Sequence, residues 1–487
     1  MEQFSKDSFS RHCASHDFVF SELEGTPHLV LCYYSTMQDN HELQHVLLPR
    51  LKGADTDFTP EKAAAILPVE GVEICSPNDN LHEKLCNGNI LLLFKNSPNK
   101  AVLIPGFPPE GRPIAAPEIE FSVVGPKEAF VESIEQNVNL IRKRLPLPEF
   151  RVEYLTAGTI TKTKTAVLYI EGIANQENVN TVTQRIRDIQ FDHVIDTSYI
   201  TQMIADNTNS LFPQVIETER PDRVTSGLAE GKVIVLVDGS PQAIISPTTL
   251  VEFFSSFEDY FYNWQIASAF RLIRLFAVVF SILATPMYVA ILTFHYELVP
   301  NDLLNSLRAS RSEVPFSPFL EAMILELTIE LLREAGARLP VKVGQTIGIV
   351  GGIVIGTASV EAGLTSNILL IIVALSALAS FTTPVYQISN TIRLIRFPFI
   401  FLASIWGLLG ITLTFAVMLG HLLQLKSLGR PFLEPINPLR LQDLKDAIIR
   451  LPFSKQKTRP RLLQSSNTVR IQDPHPNKGK QKLDIEE

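Results

Sequence analysis

Between Lys342 and Arg393 the sequence contains a single charged residue, Glu361. So long a run with one charge exceeds what the core of a water-soluble domain requires, whereas a transmembrane helix needs about 20 consecutive apolar residues. This stretch therefore predicts membrane-spanning helices. It restricts the fold to proteins with an integral membrane part.

Four membrane spans are predicted from the apolar segments. They are expected at 275–294, 343–360, 364–383 and 398–424. The first span follows Arg271 and Arg274, and the chain after Leu425 is basic, so both ends of the membrane part are expected on the cytoplasmic side. That placement requires an even number of crossings. Arg393 and Arg396 then fall on the outer side, against the positive-inside tendency, unless their helix buries its polar side.

Charge divides the chain into three parts. Residues 1–265 carry 21 Lys and Arg against 36 Asp and Glu, 266–425 carry 9 against 8, and 426–487 carry 13 against 7. This pattern predicts an acidic globular head, a near-neutral membrane core and a basic tail. No signal peptide is recognisable at the N-terminus, so we expect a cytoplasmic head. Its 4 cysteines form no C-x-x-C pair and are expected to be reduced thiols.

The head alternates short apolar strands with helices. Strands are predicted at 29–34, 90–94, 101–107, 165–172 and 232–239, and helices at 61–67, 78–86, 126–145 and 178–189. The alternation predicts two α/β subdomains, 17–117 and 118–265, with mostly parallel or mixed sheets, after a disordered N-terminus at 1–16. No catalytic constellation or metal-ligand spacing is recognisable, so we expect no enzyme activity, cofactor or bound metal.

The segment 317–338 is predicted to form an amphipathic or re-entrant helix, because Ser317 can cap it and Pro318 suits its first turn. Its polar side carries Glu326, Glu330 and Glu334. A solvated face on a surface helix would explain these carboxylates. They would equally suit a helix at membrane depth that faces water or partner copies, since each carboxylate in lipid costs about 2.5–3.5 kcal/mol.

The following stretch repeats glycine every fourth residue, at 344, 348, 352 and 356. Such a ridge of small residues allows helix backbones to approach closely within a bilayer. Gln345, Gly352, Gly356 and Ser359 share one helix face. This face suits either a polar path or close helix packing, and both alternatives stay open.

The C-terminal part is divided at residue 453. Residues 426–453 contain three prolines before a short amphipathic helix, which predicts an element at the membrane surface or at a docking site. Residues 454–487 are polar and Lys-rich, which predicts a disordered tail with weak attraction to anionic lipid. The predicted fold is thus an α/β head of two subdomains, followed by an α-helical polytopic membrane domain of four or five helices and a basic cytoplasmic tail.

Five segments carry a resemblance to a known family. They are VGPKEAFVESIEQNVNLIRKRL (124–145), ETERPDRVTSGLAEGKVIVLVDGSPQAIISP (217–247), PFLEAMILELTIELLREAGARLP (318–340), VGQTIGIVGGIVIGTASVEAGLTS (343–366) and PFLEPINPLRLQDLKDAIIRLP (431–452). Together with the multi-span layout, they resemble the A subunit of the GerA-type nutrient receptors that trigger spore germination in endospore-forming bacteria. The resemblance covers residues 118–452.

The resemblance implies an integral protein of the spore inner membrane that works with a transporter-like B subunit and a lipoprotein C subunit. In such receptors nutrients are sensed chiefly through the B subunit, while the A subunit forms homo-oligomers with a path for monovalent cations. No nucleic-acid partner is expected. Rings of Glu from several copies would attract cations into such a path.

We therefore predict roles for eight residues of the membrane part. Cation attraction is assigned to Glu326, Glu330 and Glu334, and the path or its packing to Gln345, Gly348, Gly352, Gly356 and Ser359. Two rival classes stay open. A secondary transporter would suit intramembrane carboxylates but commonly shows internal repeats, which we do not find. A non-conducting scaffold would tolerate loss of the carboxylates.

Overall fold

The computed structural model describes residues 6–23, 26–51, 58–67, 69–76, 79–109, 116–340, 351–440 and 443–470. The chain divides into two compact units. The head unit comprises Met1–Thr208, Val215–Pro247 and Leu451–Glu487, and the helical unit comprises Asn209–Gln214 and Thr248–Arg450.

The first half of the head is a five-stranded antiparallel sheet in the order β1-β2-β4-β5-β3. The strands are β1 (Phe18–Leu23), β2 (Thr26–Tyr34), β3 (Glu73–Cys75), β4 (Ile90–Phe94) and β5 (Ala101–Ile104). The helices are α1 (Ser10–Cys13), α2 (Asn40–Glu42), α3 (Leu48–Leu51), α4 (Pro60–Ile66) and α5 (Leu81–Cys86). Every residue of β4 is buried, and its side chains alternate between two hydrophobic clusters. Both faces of this sheet are therefore covered.

The second half is another five-stranded sheet, in the order β6-β7-β9-β10-β8. The strands are β6 (Phe150–Ala157), β7 (Thr163–Ile170), β8 (Ile216–Thr218), β9 (Val233–Val237) and β10 (Ala243–Ser246). The helices are α6 (Ile134–Arg144), α7 (Gln176–Arg187), α8 (Thr197–Ile204) and α9 (Pro221–Glu230). All its pairings are antiparallel.

The predicted strands of the head are confirmed, but the prediction of mostly parallel or mixed sheets is wrong. Short turns join β6 to β7 and β9 to β10, and two-residue to five-residue connections of this kind produce antiparallel neighbours. The helix predicted over 126–145 begins only at Ile134, where the Ser133 hydroxyl accepts a hydrogen bond from Gln136 N at 3.5 Å. Residues 126–132, the first part of the predicted helix, are not helical.

Residues 6–16, assigned above to a disordered N-terminus, are part of the folded head. A 3₁₀ turn covers Lys6–Phe9 and leads directly into α1. Phe9 and His12 are buried against the first sheet. The segment is mostly polar, so its composition did not reveal that the Phe9 ring and the hydrogen-bonded His12 imidazole are buried.

A buried ion pair joins the two halves of the head. The Arg142 guanidinium on α6 donates from Nε to Asp17 Oδ2 at 2.9 Å and from Nη2 to Asp17 Oδ1 at 2.8 Å. Ser15 and Thr36 also donate to the carboxylate, and neither charged side chain is exposed. The guanidinium stacks 3.9 Å from the centroid of Tyr34. This bidentate geometry fixes the orientation of α6 against the first sheet.

Lowering the pH is expected to destabilise the head through His12. Burial, with smaller contributions from His82, Arg142 and Arg151, lowers the pKa of His12 from 6.5 to about 3. As the pH falls below 6.5, the unfolded chain therefore gains a proton that the folded head excludes. Each further pH unit costs up to about 1.4 kcal/mol of unfolding free energy until the folded pKa is reached.

Pulse proteolysis of the full chain at about pH 7.5 and about pH 5 would measure the stability of the head. His12→Asn should flatten the pH dependence, since asparagine does not titrate. An unchanged pH dependence in that variant would contradict the assignment to His12.

A C-terminal segment of the chain belongs to the head unit. Thr458 and Val469 form an antiparallel bridge, and Leu462 and Leu463 between them are buried. A backbone hydrogen bond attaches this segment to the connection after β7, with Ser466 N donating to Ile173 O at 3.1 Å. Residues 454–470 were predicted to be disordered because they are polar and Lys-rich, and the two leucines account for the difference.

The helical unit consists mainly of α-helices. They are α10 (Trp264–Phe294), α11 (Asn301–Arg311), α12 (Pro318–Ala337), α13 (Gly356–Glu361), α14 (Asn367–Ser380), α15 (Tyr386–Trp406), α16 (Leu408–Gln424) and the short α17 (Leu444–Ala447). A π-helical turn, Gly351–Ile355, precedes α13, and the strands β11 (Lys426–Ser427) and β12 (Arg430–Pro431) follow α16. The predicted helix at 317–338 is confirmed as α12, capped by Ser317.

Among the described residues, α10 and α15 are long and apolar enough to cross a membrane. A core helix of a soluble protein passes the same test, so the outward-facing side chains are informative. Large apolar residues point away from the unit on several helices, including Phe276 at 70% exposure, Val417 at 68% and Leu409 at 67%. Exposed apolar surface of this extent suits contact with lipid.

The other predicted spans differ from the observed helices. The span at 398–424 is divided at Gly407, whose φ of +59° ends α15 and separates it from α16. The span at 364–383 corresponds to α14, which has only 14 residues. Residues 343–350 of the span predicted at 343–360 lie outside the described residues. The number of membrane crossings therefore stays a prediction.

Candidate functional site in the helical unit

The helix α12 buries two carboxylates instead of presenting them to solvent. Glu321, Ala322, Leu325 and Glu326 are its buried residues and follow the spacing of one helix face. The opposite side exposes apolar side chains, such as Leu331 at 62%. The amphipathic pattern is thus inverted, as expected for a helix that has apolar surroundings outside and polar partners within.

Glu326 forms the central ion pair of this site. Its Oε2 lies 2.6 Å from Arg396 Nη1 of α15, and its Oε1 accepts a hydrogen bond from the Thr285 hydroxyl of α10 at 2.8 Å. Arg396 also donates to Ser281 Oγ at 2.8 Å and to Ser376 O of α14 at 3.4 Å. Both charged side chains are about 95% buried. One network therefore links α10, α12, α14 and α15.

Glu321 forms a second buried site one turn earlier on α12. Its Oε1 accepts hydrogen bonds from Ser366 N at 2.6 Å and from the Thr365 hydroxyl at 3.3 Å. Its Oε2 lies 3.6 Å from Arg311 Nη2, which makes an ion pair with α11. The Ser366 hydroxyl lies 3.1 Å from Tyr288 Oη of α10. This carboxylate thereby fixes the start of α14 against α12.

The two other predicted carboxylates are nearer to the surface. Glu330 forms an ion pair with Arg333, and Glu334 forms one with Arg338 at 2.6 Å. Each of the three carboxylates predicted to attract cations therefore has an arginine partner in its own chain. Only the Glu326 pair is buried, and its strength is the greatest because solvent screens the others.

The predicted glycine face is only partly described, since Gln345 and Gly348 lie outside the described residues. A Cβ added at Gly352 meets no described atom within 4 Å, while one at Gly356 lies 3.8 Å from Leu370. The close contact falls one residue earlier, because a Cβ at Gly351 would lie 2.9 Å from Leu332 of α12. Ser359 is half-buried in α13. Gly352 thus has no close neighbour on this face among the described residues.

Two arginines before the first predicted span are also neutralised. Arg271 Nε lies 3.0 Å from Asp259 Oδ2, and its Nη1 lies 3.1 Å from Asp446 Oδ1. Arg274 shares the Asp259 carboxylate at 3.1 Å. The start of α10 is therefore joined to the chain that follows α16 by a charged clamp. These counter-ions neutralise the positive charge from which the cytoplasmic orientation of this end was predicted.

Sequence reasoning missed the partners of the site. It identified Glu326 but not Arg396 as its counter-ion, and Glu321 was not among the predicted site residues. The one available signal was the unexplained position of Arg393 and Arg396 in an apolar helix, since charges at such positions need partners. Among the described residues, no group of three or more His, Cys, Asp or Glu side chains is placed to hold a metal ion.

The profile of the Bacillus/Clostridium GerA spore germination protein family matches residues 5–462. The chain belongs to this GerA family. It is 49% identical to spore germination protein GerQA of Bacillus cereus, over 96% of this chain and 93% of that protein. It is 37% identical to spore germination protein KA of Bacillus subtilis, over 97% and 89% of the two chains. The GerA resemblance stated from the sequence is thereby confirmed.

One solved structure adds to the GerA relatives. It is the crystal structure of the N-terminal domain of the A subunit of the Bacillus megaterium spore germinant receptor GerK3. The sequence identity is 27%, the TM-score is 0.37, and the match covers 49% of this chain and 91% of that one.

Proposed function

We propose that the chain acts in spore germination as the A subunit of a nutrient receptor, and that its copies assemble in the spore inner membrane into a gated path for monovalent cations. The family match over residues 5–462 supports the germination role. Relatives named as spore germination proteins match almost the whole chain, so the role applies to head and helices together.

The Glu326–Arg396 pair is the observation that carries the membrane part of the proposal. Charged side chains inside apolar helices are costly in a bilayer, and they occur mainly where they serve an ion pathway or a moving contact. Glu326 and Arg396 connect four helices through hydrogen bonds. A change at this pair would therefore alter the packing of all four.

An even number of membrane crossings is supported by the placement of the chain ends. Within the helical unit, Arg450 Nη1 donates a hydrogen bond to Tyr262 O at 2.5 Å, so the end of this unit lies beside the residues that precede α10. The Arg271–Asp446 contact likewise joins the start of α10 to the chain after α16. We place this side, with the head and the tail, in the cytoplasm.

The transporter-like B subunit and the lipoprotein C subunit are the expected partners. The family resemblance implies that nutrient sensing resides chiefly in the B subunit. The A subunit would then respond to its partner and supply the helices around the cation path. Deleting the chain from spores should abolish the potassium release that its nutrient triggers, and re-expression should restore it. Normal release without the chain would contradict the proposal.

Glu330→Gln is expected to reduce potassium flux by about threefold to tenfold, because rings of carboxylates from several copies concentrate cations at a pore. Glu330 is the suitable residue, since its side chain is 37% exposed while that of Glu326 is 5% exposed. Potassium release from spores of the variant would measure the effect. Glu361→Gln is the matched control, because Glu361 is exposed at the end of α13.

A non-conducting scaffold is the second candidate. The ion pairs of Glu326, Glu330 and Glu334 with arginines of the same chain favour it, since paired carboxylates attract cations less. In a scaffold, Glu330→Gln would leave potassium release equal to that of Glu361→Gln. A selective loss in Glu330→Gln would instead favour a path that this chain lines.

A further inference from the structure

Arg393 is a buried cation in α15 that has no carboxylate partner among the described residues. Its exposed fraction is 6%, and its guanidinium donates a hydrogen bond to the side-chain oxygen of Asn390, one turn earlier in the helix. The Nε atom is buried and has no hydrogen-bond partner among the described residues. Arg393 thus differs from Arg396, which lies one turn further along the same helix.

The neighbours of Arg393 increase the positive charge at this position. Its electrostatic neighbours are Tyr386 and Arg396, and its charge also acts on Arg333 of α12. Arg396 is balanced by Glu326 and Arg333 by Glu330. Among the described residues, no carboxylate lies within ion-pair distance of Arg393. The cluster therefore has one positive charge in excess.

A guanidinium in this setting requires an anion. Burial of an unpaired charge is strongly unfavourable, and buried arginines are generally paired with carboxylate or phosphate groups. The planar guanidinium matches the oxygens of a phosphate through two parallel hydrogen bonds. Arg333 keeps a side-chain exposure of 25%, and Tyr386 is 58% exposed, so an anion can reach the cluster from outside the unit.

We propose that Arg393 and Arg333 form a binding site for the phosphate group of an anionic phospholipid. The lipid is favoured over a free anion because Leu394, next to Arg393 in α15, is 51% exposed and offers an apolar surface for an acyl chain. The site rests on the membrane placement proposed above, but it does not depend on ion conduction. A lipid bound here bridges α12 and α15, the two helices that also share the Glu326–Arg396 pair.

Thermal unfolding of the full chain in a neutral detergent tests the site. Trp264 and Trp406, the 2 tryptophans of the chain, both lie in the helical unit and report its unfolding. Short-chain phosphatidylglycerol should raise the melting temperature of the wild type by about 5 °C, since saturating ligand stabilises the folded state. Arg393→Gln should reduce this rise to below about 1 °C.

Two further variants keep the test decisive. Arg338→Gln removes an exposed arginine of α12's end and should retain the full response to phosphatidylglycerol. Without lipid, Arg393→Gln should melt no lower than the wild type, because it removes an unpaired charge. Arg396→Gln should melt lower, because it leaves Glu326 unpaired. A fall in Arg393→Gln as large as that in Arg396→Gln would overturn the proposal.

Two additions at equal concentration, phosphatidylglycerol and inorganic phosphate, distinguish a lipid from a free anion as the ligand. Phosphatidylglycerol alone should give the full rise in melting temperature. An equal rise with inorganic phosphate would overturn the lipid assignment, and so would an equal rise with phosphatidylglycerol in Arg393→Gln. No rise with any phosphate, together with dissociation of an oligomer in Arg393→Gln, would assign the counter-ion to a second copy of the chain.

Discussion

Glu326→Ala is expected to destabilise the helical unit by about 3–5 kcal/mol, because it leaves the Arg396 guanidinium buried without its counter-ion. The substitution removes more than the Glu326–Arg396 ion pair. Among the described residues, Arg396 would keep only its hydrogen bonds to Ser281 and to the Ser376 carbonyl, and the Thr285 hydroxyl would lose its Glu326 acceptor. The four helices that meet at this point would all be affected.

Denaturant unfolding followed by tryptophan fluorescence would measure this effect, since both tryptophans lie in the helical unit. Glu334→Ala is the matched control on the same helix. Its ion pair with Arg338 is exposed, so the expected loss is below about 1 kcal/mol. Equal losses in the two variants would show that burial does not strengthen the Glu326 pair.

The double variant Glu326→Leu with Arg396→Met distinguishes stability from function. Apolar side chains of similar volume often replace a buried ion pair without loss of stability, so this variant should fold about as well as the wild type. If the pair serves gating, potassium release should still be lost. A stable double variant with normal release would reduce the pair to a structural role.

Asp17→Ala is expected to destabilise the head by about 3–5 kcal/mol. The substitution leaves Arg142 buried, with its principal acceptor removed and its Nη1 atom already without a hydrogen-bond partner among the described residues. Because Arg142 lies on α6 and Asp17 precedes β1, the two halves of the head would also lose their principal polar contact.

Pulse proteolysis of the full chain would report this loss as faster cleavage within the head. The matched control is Glu22→Ala, which removes an exposed ion pair with Lys95 and should cost less than about 1 kcal/mol. Similar cleavage of Asp17→Ala and Glu22→Ala would contradict the importance assigned to the buried pair.

Local signals predicted most of the secondary structure. The apolar run ILLLF, bounded by turn residues, corresponds to β4, and Ser317 with Pro318 marks the start of α12. A strand within a run of apolar residues and a helix start depend on residues that are adjacent in sequence, so the sequence pattern was sufficient to predict them. The direction of the strands was not predictable in this way, because alternation of helices and strands does not determine how the chain returns to a sheet.

The polar contacts of both units were not predictable, since their members are distant in sequence. Asp17 and Arg142 are separated by 125 positions, and Glu326 and Arg396 by 70. Periodicity indicated that Glu326 lies on a polar side of α12, but it could not reveal whether that side faces water, another copy or a buried arginine. The division of the last predicted span was also missed, because a glycine in an apolar helix usually continues it.

Potassium efflux from liposomes tests the central claim most directly. Liposomes loaded with potassium would contain the purified chain together with its B and C partners, and nutrients would be added from outside. We predict efflux that depends on the nutrient and on the chain, with lower flux for Glu330→Gln than for Glu361→Gln. Efflux no greater than that of protein-free liposomes, with all three subunits and the receptor's own nutrient present, would contradict a cation path in this complex.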